Sequence, residues 1–98
     1  MMVFLLALLL TVYPNVVDQG GSVRVSCRVP KHADNRQVTL GLTNYTTSSR
    51  SLDGAHAPTN FTMTFQHLPC DPGPAFCLVQ GVNGRYHMET ANVLVSCF

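Results

Sequence analysis

The sequence predicts an all-β chain, a small antiparallel sandwich of about six to seven short strands closed by two disulfides. Three observations lead there. Apolar residues recur at every second position in several short runs, the spacing of half-buried strands. Clusters of Gly, Pro, Asn and Asp separate those runs. Four Cys stand among 98 residues, a density that suits a disulfide-stapled domain in an oxidising, extracellular compartment. The length suits one domain. Charged residues make up 11% and the net charge is +1. That balance argues against a highly charged disordered tail and against a basic nucleic-acid stripe, so no nucleic-acid partner is expected.

The elements follow in chain order. Residues 1–12, MMVFLLALLLTV, are apolar apart from Thr11. A membrane helix needs about 20 apolar residues, so no membrane span is expected here. The length matches the apolar region of a secretory signal. Yet no Lys or Arg precedes it, and Thr11-Val12-Tyr13-Pro14 is a poor cleavage context. As an extended strand it is apolar on both faces and needs cover on both sides. Residues 1–19 therefore read as an apolar donor strand or signal plus linker, and residues 20–98 as the sandwich. Gly20-Gly21 breaks the chain. Residues 22–29 then alternate, with Val23, Val25, Cys27 and Val29 on one face. Val38, Leu40 and Leu42 continue the pattern, and the polar stretch 46–51 reads as a short edge strand before a turn at Asp53-Gly54.

Phe61, Met63 and Phe65 mark the next strand. Asp71-Pro72-Gly73-Pro74 is a turn. Residues 75–82 and 85–96 flank Asn83-Gly84, a pair that accepts positive φ and so signals a hairpin. Gly21-Ser22-Val23-Arg24-Val25-Ser26-Cys27 at an early strand and Ala75-Phe76-Cys77-Leu78-Val79 near a late one resemble an immunoglobulin-like domain. The resemblance spans roughly residues 20–98 and implies a β-sandwich. The chain has no Trp and no Asp-x-Gly-x-Tyr-x-Cys corner before Cys77. The likeness is therefore to the broad immunoglobulin-like class, not to antibody variable domains.

Four Cys allow three pairings. The resemblance implies Cys27–Cys77 with Cys70–Cys97. Strand parity favours another answer. Phe76 and Leu78 are the bulkier core candidates of their strand. If they point inward, Cys77 points outward and meets Cys70 across the Pro-Gly-Pro turn. Cys27 shares parity with Val23, Val25 and Val29, and Cys97 with Val93 and Val95. The parity-based expectation is Cys27–Cys97 with Cys70–Cys77. A zinc site from Cys70, Cys77 and His67 fits no tight spacing.

Catalysis has no visible constellation. His32, His56, His67 and His87 and the acids Asp34, Asp53 and Asp71 are scattered through turn-like or polar contexts. No nucleophile elbow, phosphate loop or paired carboxylates appear, so neither an enzyme nor a cofactor is expected. Two sequons, Asn44-Tyr45-Thr46 and Asn60-Phe61-Thr62, make Asn44 and Asn60 candidates for covalent glycans.

The leading functional expectation is a non-catalytic subunit of an extracellular filament. The apolar N-terminal segment would leave its own domain through the Pro- and Gly-containing linker and complete the open edge of the next copy. Such a contact does not close, so it would build a head-to-tail homopolymer. Phe4, Leu5, Leu6, Leu8, Leu9 and Leu10 would carry it. At roughly 1.5–3 kcal/mol each, they would contribute on the order of 10 kcal/mol. The alternative is a secreted immunoglobulin-like binding or adhesion module with the N-terminus removed as a signal, binding through loops such as 31–36 or 53–59.

Overall fold

A computed structural model of the chain describes residues 8–29, 35–52, 59–81, 84 and 86–97. These residues form an all-β structure with no helix. In chain order the strands are β1 (Leu9–Tyr13), β2 (Val16–Asp18), β3 (Val23–Val29), β4 (Asn35–Leu42), β5 (Thr46–Ser51), β6 (Thr59–Phe65), β7 (Ala75–Gly81), β8 (Tyr86–Ala91) and β9 (Leu94–Ser96). One sheet runs β1-β3-β6 and a second runs β5-β4-β7-β8, both antiparallel throughout. A parallel pair, β2-β9, continues from the end of β8. The expected count was six to seven. The additional strands come from residues 9–18, read from sequence as segment and linker, and from the division of residues 85–96 into β8 and β9.

The alternation in the sequence becomes the inside and outside of the two sheets. Val23, Val25, Cys27 and Val29 of β3 are buried, as are Val38, Leu40 and Leu42 of β4. Phe65 is buried on β6, with Phe61 and Met63 packed against the core beside it. The expected hairpin joins β7 to β8, with Gly84 at φ 71°. At the β2 exit, Gly21 N–H donates to the Asp18 carbonyl at 2.9 Å. Gly20 sits at φ 83° in that turn, a conformation that a residue with a Cβ resists.

Cys27 on β3 is bonded to Cys77 on β7, joining the two sheets, and Cys70 is bonded to Cys97. This corrects the parity-based pairing of Cys27–Cys97 with Cys70–Cys77. The physical reason is local spacing. Facing sheets ordinarily lie about 10 Å apart, but the Cys27 and Cys77 Cα atoms are 6.3 Å apart. The inward side of β7 therefore holds small residues, Ala75, Cys77 and Val79, all buried. Phe76 and Leu78 take the outward side. In addition, β9 lies beside β2, away from β3, so Cys97 does not reach Cys27. It meets Cys70 instead. Gly20 N–H donates to the Leu68 carbonyl and Leu68 N–H to the Gly21 carbonyl, at 2.9 and 3.1 Å. Gln19 N–H donates to the Ser96 carbonyl at 3.0 Å. These bonds bring the segment around Leu68 to the end of β9.

The end of the N-terminal apolar segment belongs to its own fold. β1 pairs with β3 in register from Leu9↔Arg28 to Tyr13↔Arg24. Leu8 is buried, Leu10 and Val12 pack against the core, and Leu9 faces out at 56% exposure. The cis Tyr13-Pro14 bond lies where the chain leaves β1 for β2. Among the described residues no helix is long and apolar enough to cross a membrane.

This in-and-out pattern makes a direct prediction. Leu8→Ala destabilises the oxidised chain by about 2–5 kcal/mol, the range for a buried Leu. Leu9→Ala, on the outward side, changes stability by less than about 0.5 kcal/mol. Urea unfolding followed by circular dichroism measures both. Equal losses at the two positions would contradict the placement of β1.

Candidate functional site

The outward side of the β5-β4-β7-β8 sheet departs most from what a solvent-facing surface requires. Register places Phe76 beside Thr90, Leu78 beside Met88 and Gln80 beside Tyr86 across β7 and β8. On the other side of β7 the outward neighbours are Gly41, Thr39 and Gln37 of β4. Thr47, Ser49 and Ser51 of β5 complete the rows. None of these side chains carries a charge. Phe76 and Leu78 are half-buried, while Met88 and Tyr86 are 49% and 72% exposed. Scattered exposed apolar residues are ordinary. Two exposed ones beside two half-buried ones, all on adjacent strands, are informative.

Local structure explains why the patch stands open. Gly41 occupies the outward position next to Phe76. A Cβ there would lie 2.6 Å from the Thr46 carbonyl oxygen and 2.6 Å from Thr47 Cγ2. The close approach of β5 therefore excludes a side chain at 41, and nothing from β4 covers Phe76 on that side. Thr39 and Ser49 satisfy each other, Oγ1 to Oγ at 2.8 Å, which leaves a low polar margin. Along β8 and β9 the exposed positions continue through Asn92 to Leu94, beside Val16 of β2. Asp18 brings a charge at the far end of that strip.

The outer side of the β1-β3-β6 sheet is different in kind. It carries Arg24, Ser26 and Arg28 on β3, flanked by Asn60, Thr62 and Thr64 on β6 and by Leu9, Thr11 and Tyr13 on β1. Ser26 and Thr62 share a hydrogen bond of 3.0 Å between their hydroxyls. The two faces therefore differ in charge: Arg24 and Arg28 lie on one, and the described outward positions of the other carry none.

The residues expected from sequence to carry function are dispersed. Leu8 and Leu10 lie in or against the core, and Leu9 faces solvent from β1. Phe4, Leu5 and Leu6 lie outside the described residues. So do His32, His56, Asp34, Asp53 and most of the loops 31–36 and 53–59. His67 is exposed at φ 56°, and Asp71 is exposed. His87 Nε2 stands 3.4 Å from Glu89 Oε2 at the exposed edge of β8. Asn44 is exposed in the β4–β5 turn, where its N–H donates to the Pro72 carbonyl at 2.8 Å. Asn60 is exposed on β6 opposite Arg28.

The outward apolar face was not anticipated, because bulk alone assigns Phe76 and Leu78 to the core. The signal that finds it is the small-residue alternation Ala75, Cys77, Val79, with Tyr86 and Met88 in matching phase on the next strand. No family model matches the chain, and no curated protein matches its sequence. The face is therefore read from its own chemistry.

The patch is dispensable for folding on this geometry. Met88→Gln changes unfolding free energy by less than about 0.5 kcal/mol, whereas Val79→Ala, at the buried neighbour, costs more than 1 kcal/mol on the order expected for lost core volume. Denaturant titration of both variants checks the contrast. A larger loss from Met88→Gln would mean that the face is part of the core.

Proposed function

We propose that the chain is an extracellular, non-catalytic binding or adhesion module of immunoglobulin-like type, making contact through the uncharged apolar face of its four-stranded sheet. The observation that carries this reading is the grouping of Phe76, Leu78, Met88 and Tyr86 on the solvent side of adjacent strands. Large apolar side chains exposed together mark contact surfaces. The immunoglobulin-like part rests on the sheet order and on a buried bridge between an early strand of one sheet and a late strand of the other. Two disulfides favour an oxidising, extracellular setting.

The module is preferred to the filament because of β1. A donated strand has to leave its own sheet, and Leu8, Leu10 and Val12 pack against their own core. The same packing keeps residues 8–13 in the folded domain, so this reading does not require removal of the segment through residue 14. Glycans at Asn60 and Asn44 suit the module. One at Asn60 would project from the sheet opposite the apolar face and leave that face bare.

Staining of intact cells by fluorescent tetramers of the oxidised domain tests the reading. The wild-type tetramer is expected to stain saturably. Met88→Glu is expected to abolish staining, and Arg24→Gln, on the opposite face, to leave it intact. Absence of wild-type staining across a broad cell panel that includes cells displaying this chain would overturn the reading. Equal staining by Met88→Glu would also overturn it.

A further inference from the structure

We propose that the partner of the apolar face is a second copy of this chain, docked face to face across a two-fold axis. This rests on the reading of the face as a contact surface. Two observations select the partner. The first is electrostatic. Among the described residues whose side chains are placed, the outward positions of the four strands, Gln37, Thr39 and Gly41, Thr47, Ser49 and Ser51, Phe76, Leu78 and Gln80, and Tyr86, Met88 and Thr90, are uncharged. In a two-fold contact a charge lying at the axis meets its own like, and the described outward positions around Leu78 and Met88 place none there. A partner recognised by charge would find nothing to read here.

The second observation is the arrangement of the large side chains. Leu78 and Met88 form a central pair across β7 and β8. Phe76 lies one outward row to one side on β7, and Tyr86 one outward row to the other side on β8. The two aromatics are thus placed diagonally about the aliphatic pair. A two-fold axis lying in the contact plane through the centre of that pair, perpendicular to the diagonal from Phe76 to Tyr86, carries Phe76 of one copy onto Tyr86 of the other, and Tyr86 onto Phe76. Met88 falls close to its own counterpart. An isologous contact requires this self-matching, and each contact is made twice. Aromatic against aromatic and thioether beside aromatic are favourable pairings.

The size of the face sets the strength. Four strands at about 4.8 Å spacing and three outward rows cover about 350 Å² of sheet. A stable specific complex buries about 800 Å² per partner. The contact therefore belongs to the weak, reversible class, with a dissociation constant between about 10 µM and 1 mM. Such affinity suits contacts multiplied by display on apposed surfaces.

Sedimentation equilibrium of the oxidised full chain, loaded from about 10 µM to about 1 mM, tests the proposal. The wild type is expected to shift from monomer to dimer across that range. Met88→Lys and Met88→Glu are each expected to weaken association at least about tenfold, because each places like charges against one another at the axis. An equimolar mixture of the two is expected to recover the dimer, since Lys then faces Glu. Near-ultraviolet circular dichroism confirms that each variant is folded, and Tyr86→Arg serves in place of either variant that is not. A wild-type monomer at the highest concentration would overturn the proposal. Undiminished association of the single variants, or a mixture that stays monomeric, would do the same. Face-dependent tetramer staining of cells that lack the chain, combined with a monomeric wild type, would reject the second copy and leave the contact surface standing. Loss of both signals would reject both.

Discussion

The bond between Cys27 and Cys77 is the constraint on which the rest of the structure depends. It crosses between the sheets at a Cα separation of 6.3 Å and is fully buried. By fixing the inward side of β7, it restricts that side to Ala75, Cys77 and Val79 and turns Phe76 and Leu78 outward. In the chain-entropy account, closing a loop of this sequence separation, 50 residues, stabilises the fold by about 4 kcal/mol. For a chain of this size that is a large fraction of the total stability. The same bond thus holds the core together and exposes the face read here as functional.

A second closure secures the ends of the chain. β1 covers one edge of β3, β2 crosses to pair with β9, and Cys70–Cys97 ties the segment after β6 to the end of β9. The reciprocal bonds between Gly20-Gly21 and Leu68 lie at the same corner. Leu8, Leu10 and Val12 are therefore covered inside one chain. The apolar run reads from sequence as something seeking cover, and for residues 8–12 the fold supplies it on one side from the core.

Much of the fold was legible because period-two alternation has one physical cause. Val23, Val25, Cys27 and Val29 alternate because their sheet is wet on one side, and Val38, Leu40 and Leu42 alternate for the same reason. The turn at Asn83-Gly84 was legible from the φ requirement, met at Gly84. Residues 9–18 were harder, since an apolar run without alternation does not declare a partner. Tertiary pairing with β3 and β9 decides it. Parity misassigns the disulfides because side-chain bulk does not mark the inward side of β7, where Phe76 and Leu78 face out. On β7, the strand that carries the bridge, the inward residues are the smaller ones, Ala75, Cys77 and Val79. That same error hid the candidate site, because outward Phe76 and Leu78 are its centre.

The exposure of Phe76 and Leu78 depends on which way β7 faces, and the disulfide connectivity reports it directly. Nonreducing proteolysis of the native chain, followed by mass spectrometry of the linked peptides, is the decisive measurement. The account predicts a peptide pair joined through Cys27 and Cys77 and another joined through Cys70 and Cys97. A pair joined through Cys70 and Cys77 would contradict it. That result would place Cys77 on the outer side, return Phe76 and Leu78 to the core and remove the apolar face.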